Sequence, residues 1–262
     1  MKVVLFCGGE GMRMRNHSDA IPKPMVEIGY RPLLWHIMKY YSHYGHKEFI
    51  LCLGYKADVI KNYFLNYNEC LSNDFVLRKG LKETQLLHKD ITDWSITFVD
   101  TGLTSNLGER LMAVKDHLIR EEMFMANYAD GLTDLPLSDM LEDFKQQNKI
   151  GCFFSVKPNL SFHAVTFDKD DKLAGIQPIR QSDFWINGGY FIFRKEVFDY
   201  IKKGEELVEE PFQRMLKNNK LTTFRHDGFW AGMDTFKDKM MFDELYRKGN
   251  PPWMVWNGKK GS

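Results

Sequence analysis

The stretch "VVLFCGGEGMRMR", Val3–Arg15, decides how the rest of the chain is read. Val3–Cys7 is a short continuous apolar run, the pattern of a strand covered on both faces. Gly8, Gly9 and Gly11 follow within four positions, and Arg13 and Arg15 come next. Glycines let a backbone approach a ligand closely, and arginines suit an anion. Three readings are open at this point: a dinucleotide loop, a triphosphate loop, or a tight turn with solvated basic residues.

The downstream residues discriminate among them. A dinucleotide fingerprint, G-x-G-x-x-G, starts its helix inside the motif. Here the glycines run into a polar loop ending in "IPKPM", and Pro22 and Pro24 forbid a helix opening directly on the glycines. The acidic residue that should close the second strand of such a unit is missing; that strand ends in Leu53-Gly54. A Walker A loop fails too, because no GK[ST] follows. A different phosphate loop fits better, with backbone amides of Gly8, Gly9 and Gly11 around a polyphosphate and Arg13 and Lys23 as counter-charges. A lysine held between two prolines implies positioning.

Strands and helices alternate outward from this loop. Pro32 and "LLWHIMKYYSHYG" read as a helix ending at Gly45. "FILCLG" (Phe49–Gly54) reads as a strand, "KADVIKNYFLNY" as a helix, and "SITFVD" (Ser95–Asp100) as a strand. "ERLMAVKDHL" is expected to be one helix and "EMFMANYAD" (Glu122–Asp130) a strand. "LSDMLEDFKQQN" is expected to be a helix capped by Ser138. The polar stretch Asn66–Asp93 has no readable period. Alternation up to about Asn148 predicts an α/β fold, a mostly parallel sheet with helices on both faces. Beyond it, "GCFFSV", "AVTF", "KLAGIQPI" and "INGGYFIFR" read as strands, followed by two helical stretches, "LTTFRHDGFW" and the amphipathic "TFKDKMMFDELYRKG". This predicts a mixed extension of the sheet. Residues 1–258 are expected to form one domain, with 1–148 and 149–258 as functional halves and 259–262 as an appended tail.

Composition narrows the function classes. The 262 residues carry 36 basic and 35 acidic side chains, a net charge of +1, which gives no reason to expect nucleic acid or a membrane as partner. Hydrophobic residues make up 44% and aromatics 14%, enough for a large core rather than a disordered chain. The four cysteines, Cys7, Cys52, Cys70 and Cys152, form no CxxC pair, so buried reduced thiols are expected rather than zinc. No signal peptide and no apolar run of ~18 residues is read, so a soluble cytoplasmic protein is expected.

The motifs together resemble a known family. "GGEGMRMR", "IPKPMVEIG" and "PLLWHIM" are similar to segments of the sugar-phosphate nucleotidyltransferases. "ILCLGYKADVIKNYF", "ITFVDTG", "NYADG", "INGGYFIF" and "GFWAGMDTFKDK" look like the glucose-1-phosphate cytidylyltransferases within them. The similarity runs from Met1 to about Trp256. It implies a Rossmann-like nucleotidyltransferase fold, transfer of a nucleotidyl group from CTP to glucose 1-phosphate, formation of CDP-glucose for deoxysugar or surface-polysaccharide synthesis, and a homo-oligomer.

Residue roles follow by position. Arg13 and Lys23 match the catalytic cations. Gly8, Gly9, Gly11, Gly108 and Arg110 match the nucleotide site, although Arg110 also reads as an ordinary first-turn helix residue. Asp130 closes a strand of the parallel half, at the edge where such sheets bind ligands. Asp234 reads equally as a cap beside Thr235. The resemblance assigns both to one Mg²⁺, which prefers oxygen ligands and substrate phosphates. Asp100 and Asp134 are weaker candidates. The attacking phosphate monoester has a second pKa of about 6, so no protein base is needed. Tyr128, Arg180, Asn187 and Gly188 are the acceptor-side candidates. That side departs from the family: relatives carry Glu-Lys-Pro before the "INGG" strand, whereas this chain has Gln177-Pro178, with Arg180 as the substitute cation and Asp183, Phe184 and Trp185 making the approach more aromatic. Glu109 and Met12 are further departures, at positions where relatives carry glycine and threonine.

Overall fold

The computed structural model describes residues 1–9, 21–80, 83–88, 90–159 and 162–257. Gly11 and Arg13 lie outside the described residues. Seven strands share one sheet: β1 (Lys2–Phe6), β2 (Glu48–Leu53), β3 (Ser95–Asp100), β4 (Met123–Asn127), β5 (Gly151–Val156), β6 (Ile186–Arg194) and β7 (Leu221–His226). Their spatial order is β7-β5-β6-β4-β1-β2-β3. β1, β2, β3 and β4 pair in parallel, as do β5 and β7. β6 alone runs the other way, antiparallel to both β4 and β5. The mostly parallel α/β sheet expected from the alternation is present, and residues on both sides of position 148 build it.

Helices supply the covering layers: α1 (Leu33–His43), α2 (Ala57–Leu65), α3 (Leu107–Ala113), α4 (Lys115–Leu118), α5 (Leu137–Gln147), α6 (Glu210–Lys217) and α7 (Phe236–Arg247). The continuous apolar run of β1 explains why both faces are covered. Val3 and Leu5 join a core with α1 residues Leu34, Ile37 and Met38, while Val4 and Phe6 join a second with Leu111, Phe124 and Phe191. Period-two side chains thus feed two separate cores from one strand.

Several boundaries differ from the sequence expectation. The single helix over Glu109–Leu118 is two short ones, because buried Val114 leaves helical geometry (φ −101°, ψ 6°) between them. Ser138 is not a cap. Helix α5 begins at Leu137 after Pro136, whose carbonyl accepts from the amides of Asp139 and Met140 (3.0 and 3.2 Å). The unreadable Asn66–Asp93 stretch contains a hairpin, Phe75–Arg78 against Glu83–Leu86. A second hairpin pairs His163–Phe167 with Leu173–Pro178. No helix among the described residues is long and apolar enough to cross a membrane. Cys7, Cys52 and Cys152 are buried free thiols, and Cys70 is half-buried.

Candidate active site

The carboxyl ends of β1 and β4 open onto a cleft of about 380 Å³. Its lining includes Gly9, Lys23, Leu107, Arg110, Tyr128 and Asp130. A larger cavity of about 980 Å³ lies elsewhere, between α1, the 71–90 segment and Tyr246–Asn257, and none of the sequence-predicted site residues lines it. Chemistry rather than size therefore picks the site.

Lys23 is placed by its prolines. Pro22 (φ −67°, ψ 148°) leads into a one-turn 3₁₀ helix, Lys23–Met25, and Pro24 and Met25 are buried beneath it. The prolines fix the backbone from which the lysine side chain reaches the cleft. Its Nζ donates to Asp130 Oδ2 at 3.1 Å and to Asp234 Oδ1 at 2.6 Å. Burial opposes the charge of Lys23, but the two carboxylates outweigh it and raise its pKa above the ordinary lysine value. Asp130 follows Ala129, whose left-handed backbone (φ 58°) turns the chain off β4; the Ala129 amide donates to Asn127 Oδ1 at 2.7 Å. Asp234 precedes α7 without capping it. Thr235 is the cap, bonded reciprocally with Asp238. Residues 107 and 211 positions from Lys23 thus meet at one cationic point.

Arg110 lines the same cleft and is held from within the chain. It is 4% exposed, and its guanidinium donates to Leu53 O, Thr101 Oγ1, Gly102 O, Gly8 O and Leu103 O at 2.7–3.3 Å. It braces the turns after β1, β2 and β3. Gly8 makes this possible, since a Cβ there would sit 2.1 Å from Arg110 Nη1. Gly8 is demanded by the arginine, whereas Gly9 faces open space. Gly108 is likewise set by packing, its missing Cβ lying 2.2 Å from the Glu205 carbonyl.

On the β6 side, Asn187 Nδ2 donates to Tyr128 Oη at 3.0 Å, and the Gly188 carbonyl accepts from Trp230 Nε1 at 2.9 Å. Burial, then the charges of Asp130 and Glu206, keep Tyr128 a neutral phenol by raising its pKa. Arg180 is exposed on the turn Ile179–Gln181. Two cations that sequence reasoning missed lie closer to the strand start. Lys157 donates to the Ser182 carbonyl and sits 4.5 Å from the Trp185 ring centre, and Arg225 lies 5.4 Å from the same ring. Their only signal was position, at the ends of β5 and β7. Asp134 is a clip, accepting from His226 Nε2 and the Phe229 amide at 2.7 Å each, and Asp100 accepts from the Gly102 amide. Glu206 also lines the cleft and was not singled out from sequence.

A divalent ion can be tested against this donor set. Asp130 and Asp234 both reach one ammonium, so their oxygens converge where a cation belongs. No cluster of three or more His, Cys, Asp or Glu exists among the described residues. Two carboxylates without further protein ligands fit an ion that keeps waters and takes substrate phosphates.

The chain is similar to known proteins over nearly its whole length. Over 257 residues the chain is 37% identical to the glucose-1-phosphate cytidylyltransferases of Salmonella typhi and Salmonella typhimurium, covering 98% of this chain and 100% of each relative. In fold it matches a UTP-bound UGPase from Acinetobacter baumannii with a TM-score of 0.69 at 17% identity, covering 98% of this chain and 96% of that one. The nucleotidyl transferase family model matches residues 2–241. With that match over most of its length and the Lys23–Asp130–Asp234 constellation at the carboxyl edge of its sheet, this chain belongs to the nucleotidyl transferase family.

Proposed function

We propose that this chain transfers a cytidylyl group from CTP to glucose 1-phosphate, releasing pyrophosphate and giving CDP-glucose, with Mg²⁺ as cofactor. The observation that carries the chemistry is the convergence of Lys23, Asp130 and Asp234 in the cleft. The choice of CTP and glucose 1-phosphate rests on the relatives' names.

The acceptor phosphate is ionised at neutral pH. One of its oxygens forms a bond to the α-phosphorus, the bond from that phosphorus to the bridging oxygen breaks, and pyrophosphate leaves with the electron pair. No proton needs moving, so the protein's task is positioning and charge. Asp130 and Asp234 would hold Mg²⁺, which when bound neutralises phosphate oxygens. Lys23, released from the carboxylates, faces the same phosphates. Arg110 keeps the Gly8 turn rigid from behind. Tyr128 and Asn187 present a hydroxyl and an amide toward the acceptor.

The exposed position of Arg180 and the Lys157–Trp185–Arg225 group favour a second reading of the acceptor: another sugar phosphate, or a phosphorylated metabolite outside the sugars. Pyrophosphate release across a panel of nucleoside triphosphates and phosphorylated acceptors decides both. CTP with glucose 1-phosphate is expected to be the best pair. A different best acceptor replaces only the sugar, and silence from every pair with Mg²⁺ present removes the catalytic reading. The chain is also proposed to assemble with itself, since Val165, Phe167, Leu173 and Ile176 are exposed along the 163–178 hairpin.

A further inference from the structure

Lys23 takes one oxygen from each of two carboxylates. Its Nζ donates to Asp130 Oδ2 at 3.1 Å and to Asp234 Oδ1 at 2.6 Å. Among the described residues, no other cation pairs with either carboxylate. The ammonium lies on the covered side. The Lys23 side chain is 16% exposed, against 34% for Asp130 and 47% for Asp234. Two carboxylates brought together from distant parts of the chain repel one another, and a cation between them offsets that repulsion. Lys23 supplies it from a fixed base, because Pro22 and Pro24 set its backbone and Pro24 and Met25 are buried. It can leave the carboxylates only by swinging its stem. A lysine stem is flexible and its ammonium is a point charge, so the same group can serve a carboxylate or a phosphate oxygen.

A hard divalent ion seeks the same oxygens. Ammonium and ion cannot share them, since each draws on the same lone pairs and the two cations repel. A metal ion alone offers the displaced ammonium no anion, whereas a triphosphate does. We propose that Lys23 is the resident counter-ion of the Asp130–Asp234 pair in the nucleotide-free protein, that it and a divalent ion exclude one another there, and that a triphosphate admits the ion by drawing the ammonium onto its own oxygens. This rests on the nucleotidyl-transfer reading above. Lys23 is then an exchange element as well as a phosphate ligand, and the carboxylate pair binds an ion poorly until a polyphosphate arrives.

The test measures Mn²⁺ bound to the full chain by electron paramagnetic resonance, without nucleotide. It compares the wild type, Lys23→Met, and Lys23→Met combined with Asp234→Asn. Loss of the ammonium is expected to tighten Mn²⁺ about tenfold or more, within the usual span of coupling between two ligands. The second substitution is expected to abolish that gain. Equal affinity in wild type and Lys23→Met overturns the proposal, because the ion then binds beside the lysine. A gain that survives Asp234→Asn also overturns it. Lys23→Arg keeps a cation and is expected to bind Mn²⁺ no better than wild type; a gain equal to that of Lys23→Met would trace to loosened packing and sink the exchange. Melting curves accompany each variant, and if Lys23→Met fails to fold, Lys23→Gln takes its place. CTP added at equal concentration is expected to narrow the gap between wild type and Lys23→Met to about threefold or less, since neither protein then holds an ammonium on the carboxylates. A gap that CTP leaves unchanged contradicts the exchange. Wild-type protein that binds CTP neither with nor without Mg²⁺ removes the nucleotidyl-transfer reading itself, a result separate from the Mn²⁺ ratios.

Discussion

Asp130 carries more of the site than its single bond to Lys23 suggests. It is the carboxylate at the end of the parallel half of the sheet, and its partner Asp234 comes from the far end of the chain. Asp130→Asn keeps the shape and removes one charge. Its side chain is a third exposed, so the fold should tolerate the change. Turnover, read as pyrophosphate release, is expected to fall ~10²–10³-fold, the range for loss of one preorganised electrostatic group. A variant with wild-type turnover would remove Asp130 from the site. Arg110 teaches the opposite lesson. The resemblance matched it to the nucleotide site; it lines the cleft, and its guanidinium also braces three turns from behind. An arginine in a first helical turn carries no sequence signal that separates a brace from a phosphate ligand, because both roles need the same planar fork.

At the scale of the element, the 66–93 segment shows best what the sequence concealed. Its hairpin is anchored by a buried ion pair: Arg31 Nη2 lies 3.3 Å from Asp90 Oδ2, with both side chains 3% exposed or less. Ser72 Oγ and Tyr67 Oη donate to the same carboxylate, and the Arg31 guanidinium lies 4.1 Å from the Tyr67 ring centre. Asp90→Ala leaves Arg31 charged and unpaired in that pocket. A loss of about 3–5 kcal/mol in unfolding free energy is expected by denaturant titration, with early proteolysis within 66–93. A variant as stable as wild type would mean the segment is held by something else. In sequence these residues look solvated, since burial of a charge is legible only through its distant partner. Periodic elements were different. Ser95–Asp100, Gly151–Val156 and Ile186–Arg194 were readable to the residue because alternation and β-branched or aromatic content coincide there. Misreadings gathered where local preference competed with packing: Ser138 lost to Pro136, and the helix through Val114 broke where that side chain enters the core. In the site, Lys23 was legible from its two prolines. Glu206, Lys157 and Arg225 were not, since each acquires its role from neighbours far along the chain.

For the molecule as a whole, acid exposes a built-in weakness. His36 sits fully buried in α1. Its Nε2 donates to the Ile28 carbonyl at 3.0 Å and its Nδ1 accepts from Trp253 Nε1 at 3.4 Å, an arrangement that requires the neutral ring. Burial lowers its pKa to about 4. The unfolded chain binds this proton near pH 6.5 and the folded chain does not. Stability is therefore fully present above about pH 6.5 and falls as pH drops toward 4, by roughly 3 kcal/mol for a shift of this size. Melting temperature is expected to decline across that window, and the decline should shrink in His36→Gln. A flat profile between pH 7 and 4 would contradict the buried neutral ring.

The lone reversed strand has a consequence for how this scaffold diversifies. Every other strand of the sheet ends at the edge where the cleft lies; β6 begins there, with Ile186, Asn187 and Gly188 first. The segment that precedes it, including the 163–178 hairpin and the turn bearing Arg180, therefore leads into the sheet at that edge rather than through the loops after β1 to β3. Substitutions there are expected to leave the Lys23–Asp130 bond and the Arg110 bonds in place. The departure from the resemblance, "IQPIRQ" where Glu-Lys-Pro is expected, falls in that segment, apart in the chain from Lys23, Asp130 and Arg110.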